Sequence, residues 1–281
     1  MSTEPADPAP PDAEIGILGG SGFYDFFDDA ATAVEVDTPF GAPSDPISVG
    51  EVAGRRVAFL PRHGRDHRFP PHRINYRANL WALRSLGVRQ VLGPSAVGSL
   101  HPDVGPGTFV VPDQLIDLTW GREHTVYADG PQVVHVSLAD PYCPRGRASV
   151  VGAADGGSDD GPGLRGDGTL VVINGPRFST RAESRDYTAR GGTVIGMTGM
   201  PEASIARELA LCYTGIAMVT DHDAGLQAGG GVTHAQVLEV FAANLDRLRD
   251  LLLRVLADLP SDDQCSCRHA VDGLDLPLEL P

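Results

Sequence analysis

The sequence predicts a single α/β domain: a mixed, largely covered central sheet flanked by helices, with loops at the strand ends. Three observations carry that expectation. Short apolar runs recur along the chain, several of them continuously apolar, as in strands buried on both faces. Amphipathic helical patterns lie between them. No linker divides residues 14–258, and a hydrophobic content of 42% is enough for a core of that size.

Taken in order, residues 1–13 are acidic and proline-rich and read as a disordered tail. They show neither the basic nor the apolar region of a secretory signal, and no run is long enough for a membrane span, so a soluble, cytoplasmic protein is expected. A strand at 15–18 runs into Gly19-Gly20-Ser21-Gly22, and further strands are expected at 57–60, 88–92, 108–111, 170–173, 194–197 and 216–219. A helix is expected over 75–86, where Leu80, Leu83 and Leu86 share a face beside Trp81. Another opens at Pro201-Glu202, its pattern overrunning the strand at 216. In the last helix Thr233-x-x-Gln236 makes a capping box, and Val237, Phe241, Leu245, Leu248, Leu252 and Val255 form one apolar stripe. Residues 153–168, rich in Gly and Asp, read as a solvated loop insertion, and 259–281 as a C-terminal extension carrying Cys265-Ser266-Cys267.

All 22 basic residues are Arg, against 37 Asp and Glu, for a net charge of −15. Such a chain repels phosphate backbones and anionic bilayers, which argues against nucleic acid and membranes as partners. Four cysteines in 281 residues do not make a disulfide scaffold. Cys143 and Cys212 lie in apolar sequence and are expected in the core; Cys265 and Cys267 are expected as free surface thiols.

Four segments could carry chemistry. The turn at Ser21 brings backbone N–H groups and a hydroxyl within reach of an anion; it is also compatible with an ordinary tight turn, or with a dinucleotide site weakened by Asp25 where a third glycine belongs. Arg62 and His63, in PRHGRDH, offer a planar fork and a further donor for phosphate oxygens. A metal pair of His63 and His67, or a solvated turn, are the alternatives there. Ser95 and Ala96, in GPSAVGSL, suit either backbone approach to a ligand or a close-packed turn. Asp221 and Asp223 share one face of a strand if the run at 216–219 continues, with His222 opposite; neighbouring carboxyls push their pKa values apart, so one holds a proton near neutrality. A metal site on Asp-His-Asp and a solvated turn remain open beside that reading.

The ordered segments IGILGGSGFYD, PRHGRDH with INYRANLWAL, GPSAVGSL, VVPDQLIDLT, GPRFSTRAES, MTGMPEASIARE and VTDHDAG resemble the trimeric purine nucleoside phosphorylase family, and within it the branch that cleaves methylthioadenosine. The resemblance implies one domain around a distorted mixed sheet, assembled as a homotrimer or a dimer of trimers with sites near subunit interfaces. It implies a purine nucleoside and inorganic phosphate as the small-molecule partners, reversible phosphorolysis as the reaction, and no metal or organic cofactor. By motif, Ser21, Arg62, His63, Ser95, the backbone of Ala96 and Thr198 would hold phosphate. Met197 would line the ribose and Phe178 would pack on the purine, while His135, in HVSLADPYCP, would reach a neighbouring subunit's ribose pocket. Asp221 and Asp223 would read the base edge, Asp223 as general acid near N7 and Asp221 accepting from a 6-amino group, which favours adenine over 6-oxopurines.

His234 departs from the branch's pattern, which commonly has a small apolar residue facing the 5′ substituent; an imidazole there suits a 5′-hydroxyl. Methylthioadenosine is therefore the expected substrate, with adenosine or another 5′-hydroxyl purine nucleoside as the alternative. Gly196, smaller than the family's usual residue, loosens any inference about pocket volume. An NAD-binding protein built on the glycine turn is a remote alternative, since it leaves Arg62, His63 and both aspartates without a role.

Overall fold

The computed structural model describes residues 12–20, 31–155, 163–224 and 233–281. Along the chain run β1 (Ile15–Gly19), β2 (Thr32–Val34), β3 (Ile47–Val52), β4 (Arg55–Pro61), α1 (Tyr76–Ser85), β5 (Gln90–Ser99), β6 (Phe109–Val110), β7 (Gln114–Leu118), α2 (Pro144–Asp155), β8 (Leu164–Arg165), β9 (Thr169–Ile173), α3 (Arg181–Ala189), β10 (Val194–Gly196), α4 (Gly199–Glu208), β11 (Cys212–His222), α5 (His234–Ala243) and α6 (Leu245–Asp258). The strands join one sheet of order β2-β3-β4-β1-β5-β10-β9-β7, with β11 also on β5 and the short β6 and β8 beyond it. The sheet is mixed: β1, β4, β5 and β11 run parallel, whereas β10 meets β5 antiparallel.

Each face of the sheet is covered, as the continuously apolar strands require. On one side α1 and α4 pack on Leu18, Leu60, Val91 and Val219; on the other, α6 inserts Leu248, Leu252 and Val255 among Ile15, Ile17 and Ile216. Asn75 starts α1 by accepting from the Ala78 N–H. Gly16 lets α1 come close, since a Cβ there would stand 3.2 Å from Leu83 Cδ1 and 3.1 Å from Val88 Cγ1.

Several expectations are corrected. The segment 93–99, open to reading as a turn, is strand: β5 continues through it to Ser99, fully paired with β11. The helical pattern from Pro201 stops at Glu208, because the apolar run beyond it is buried strand from Cys212 onward. The last helix is two, broken at Asn244, so that α5 buries no residue while α6 faces the core. The 153–168 insertion is not all loop: α2 extends to Asp155, and Leu164–Arg165 pairs with β6. The 259–281 extension is packed against the domain, with Leu259, Cys265, Cys267 and Val271 buried. Of the expected tail only Asp12 and Ala13 are described, and Ala13 is buried, its N–H bonded to Leu86 O.

Candidate active site at a split sheet edge

β5 is the strand around which the site is built. One of its edges pairs with β11 along its whole length. On the other edge β1 pairs only as far as Leu92 and β10 begins only at Gly98, so residues 93–97 face no strand there. Pro94, which has no N–H to offer a ladder, falls within that gap. A cleft of about 810 Å³ opens at this split, where β1, β4, β5 and β11 deliver their C-terminal ends. Ligands of open α/β sheets bind at such points of divergence.

At one end of the cleft Arg62 follows β4 and is only 1% exposed. Its Nε and Nη2 donate to Glu202 Oε1 and Oε2 at 2.7 and 3.2 Å, and Nη1 donates to Pro94 O at 2.7 Å. Burial opposes the guanidinium's charge, but Glu202 together with Tyr213 and Tyr76 outweighs it, and the pKa is raised. Tyr213 donates to Glu202 Oε2 at 2.6 Å, completing a buried triad. Three of Arg62's five N–H groups are thus committed, leaving two for a ligand.

His63 differs from its expected role as a donor. Its Nδ1 lies 2.9 Å from Phe69 O, and a carbonyl only accepts, so Nδ1 carries the hydrogen. Burial, then the neighbouring His67, push its pKa down to about 3, against the pull of the Phe69 carbonyl. The ring is therefore neutral near pH 7, and Nε2 holds a lone pair. Toward the cleft that nitrogen can accept a hydrogen bond but not donate one. His67 stacks on His63 with ring centroids 4.0 Å apart. Asp66 and His67 have left-handed backbones, so the segment is no helix presenting His63 and His67 to one ion.

The acid pair stands across the cleft. Thr220 is the extra residue of a bulge in β11, since Val219 pairs with Val97 and Asp221 with Gly98. The bulge turns Asp221 and Asp223 into the cleft, whose lining His222 does not join. Thr220 Oγ1 lies 2.8 Å from Asp221 Oδ2. Burial, opposed by that hydroxyl and aided by Asp223, raises the Asp221 pKa to about 6. Asp223 is 4% exposed and its Oδ2 has no hydrogen-bond partner. The two carboxyls are thus close enough to influence one another, as the sequence reading expects of neighbouring acids. Gly98 makes room for both, as a Cβ would stand 3.1 Å from Asp221 Oδ1.

Ser95, Ala96, Phe178, Met197, Thr198 and His234 also line the cleft. Thr198 is buried at the N-cap of α4, its side chain making no capping bond. His234 is exposed at the first position of α5, and Val237, Leu238 and Phe241 continue that wall. His135 is exposed and lies outside the lining. Ser21 lies outside the described residues, although its neighbour Gly20 lines the cleft. Sequence reasoning missed Glu202 and Arg122, which orient the site from behind. Arg122 donates to Tyr76 Oη, Met200 O, Ile173 O and Asn174 O, tying the end of β9 to the start of α4. Its isolation from any motif hid it; Glu202 was visible only as a helix-opening residue. Asp221, His222 and Asp223 form no metal-capable cluster; among the described residues the one such group is four cysteines elsewhere.

The phosphorylase superfamily model matches residues 14–257. A purine nucleoside phosphorylase of Streptomyces coelicolor is 60% identical over 96% of this chain and 98% of its own. An S-methyl-5′-thioadenosine phosphorylase of Mycolicibacterium smegmatis is 52% identical, covering 95% of this chain and 99% of its own. Among solved structures, the methylthioadenosine phosphorylase of Schistosoma mansoni in complex with adenine superposes with a TM-score of 0.85 at 39% identity, over 92% of this chain and 96% of that one.

Proposed function

This chain belongs to the phosphorylase superfamily, and from that premise we propose that it cleaves S-methyl-5′-thioadenosine with inorganic phosphate, giving adenine and 5-methylthio-α-D-ribose 1-phosphate. One observation carries the reading: a single cleft of about 810 Å³ is lined both by an arginine–histidine corner and by the Asp221 and Asp223 carboxyls, with Asp221 raised to about 6.

Phosphate sits at the Arg62 end, against Ser21, Ser95, the Ala96 backbone and Thr198, and donates its O–H to His63 Nε2. A phosphate oxygen attacks C1′ from the face opposite the base. The C1′–N9 bond breaks and its electron pair stays on the purine. The Asp221/Asp223 pair, Asp223 nearer N7, delivers the proton that lets adenine leave neutral, and the remaining carboxylate accepts from the 6-amino group. Met197 lines the ribose and Phe178 packs on the base. No step needs a metal or an organic cofactor; phosphate is a co-substrate. The product feeds purine and methionine salvage, and a cytoplasmic setting suits four cysteines without disulfides. We further propose a homotrimer, alone or as a dimer of trimers, with His135 completing a neighbour's ribose pocket. Trp120 and Val133, 73% and 78% exposed, supply apolar surface for such contacts.

A second reading rests on His234, whose place in the cleft wall offers a hydrogen bond to a 5′-hydroxyl. Val237, Leu238 and Phe241 beside it favour a methylthio group instead. A panel of methylthioadenosine, adenosine, inosine and methylthioinosine, read by phosphate-dependent base release, decides between them. Methylthioadenosine should lead, and Asp223→Ala should lose base release while keeping the fold. Faster cleavage of adenosine, with the preference reversed by His234→Val, establishes the second reading. Base release that proceeds equally well without phosphate refutes both.

A further inference from the structure

Cys143, Cys212, Cys265 and Cys267 come from three separate stretches of chain, yet all are buried and their sulfurs lie within 4.8 Å of one another. Cys143 immediately precedes α2, Cys212 opens β11, and the other two flank Ser266 in the C-terminal extension. The quartet is far from the cleft: Cys212 and Asp221 are nine residues apart on one strand, about 30 Å at the rise of extended chain.

From this geometry we infer that the four thiols form a closed, tetrahedral thiolate site for one structural metal ion, zinc by its ligand set. A four-sulfur site with Zn–S bonds of about 2.3 Å has sulfurs about 3.8 Å apart. Cys143 Sγ and Cys265 Sγ stand 3.5 Å apart, near that edge and far from a covalent S–S bond of about 2.05 Å. Four sulfurs with no nitrogen or oxygen ligand select a soft or borderline ion, and four protein ligands leave no open position for catalysis.

The surroundings suit the charge. A tetrathiolate around a divalent ion carries two negative charges. The Gly146 N–H points at Cys143 Sγ, 3.4 Å away, at the N-terminus of α2. Arg145 lies close enough to Cys143 and Cys265 to feel both, and its guanidinium is clamped to Asp262 in the same extension. Binding releases the four thiol protons to solvent and ties the 259–281 segment to the sheet. Cys143 and Cys212 are in the core as the sequence reading expects, whereas the CxC thiols, expected on the surface, are buried with them.

The test begins with elemental analysis of untagged protein. One zinc per chain is expected, with all four thiols silent toward a disulfide reagent until an organomercurial releases the metal. The double variant Cys265→Ser/Cys267→Ser should hold no zinc and melt lower, while phosphorolysis at moderate temperature stays within about twofold of wild type. Cobalt exchanged into the unmodified chain should show tetrahedral thiolate bands, a readout independent of whether the variant folds. Protein that takes up no stoichiometric zinc or cobalt and shows four reactive thiols overturns the inference. So does an intact mass short by the hydrogens of one or two disulfides.

Discussion

Replacing Glu202 by Ala removes the one acidic partner that Arg62 has among the described residues. Both side chains are essentially sealed from water, at 2% and 1% exposure. The substitution leaves Arg62 Nε and one Nη2 hydrogen unpaired and takes the acceptor from Tyr213 Oη. Leaving a buried charge without its partner costs about 3–5 kcal/mol, whereas a surface pair would cost under about 1 kcal/mol. For a domain of this size that corresponds to a fall in Tm of roughly 6–20 °C. Thermal and urea unfolding of the apo protein measure it. Glu202→Gln, which keeps an oxygen acceptor for Arg62 and Tyr213, should lose less. Phosphate should stabilise Glu202→Ala by more than it stabilises wild type, because the freed guanidinium turns to the anion. A loss of under about 1 kcal/mol, or a phosphate response equal to wild type, refutes the placement of Arg62 between Glu202 and the anion.

Three further outcomes follow from the same geometry. Asp221, raised to about 6, binds its proton more tightly folded than unfolded, so its contribution to stability is present below about pH 4 and lost as pH rises through about 6. The stability of Asp221→Asn relative to wild type should therefore increase between those values and level off above, by urea unfolding at a series of pH values; a flat difference excludes the shift. Gly98→Ala places a methyl 3.1 Å from both Asp221 Oδ1 and Ile195 Cγ2. It should cost about 1–3 kcal/mol and lower kcat/KM for base release through a displaced acid, and an unaltered kcat/KM argues that the pair tolerates movement. Thr233→Ala removes a capping box from α5, worth about 1 kcal/mol. Since α5 forms the cleft wall at which the proposed reading puts the 5′ group, KM for the nucleoside should rise with little change in KM for phosphate.

Much of the site was legible because its residues sit in compact motifs at strand ends. Arg62 and His63 follow one strand directly, and Asp221 and Asp223 end another, so an apolar run followed by polar groups marked both. His63 shows where such reading stops. Its identity suggested a donor, but Phe69 O takes the hydrogen, and burial with His67 removes the charge. The acids show the same limit, since spacing named the pair and only burial, aided by Asp223 and opposed by the Thr220 hydroxyl, raises the Asp221 carboxyl. β2, β3, β7, α2 and α3 were missed because they lack a strong period or a long apolar run; α3 begins at a capping box, Thr180 with Glu183, that could have been found.

The sequence by itself determined the α/β class, most of the buried strands, the family and many of the residues that meet in the cleft, because local hydrophobic pattern and short motifs encode all of these. The tertiary structure alone decided that β5 keeps an unpaired edge where β1 leaves and β10 arrives, that Glu202 takes two of Arg62's five N–H groups, and that four distant cysteines share one buried point. Those facts depend on contacts between residues dozens to more than a hundred positions apart. No local pattern carries that information; it is set only when the packed sheet brings such residues together.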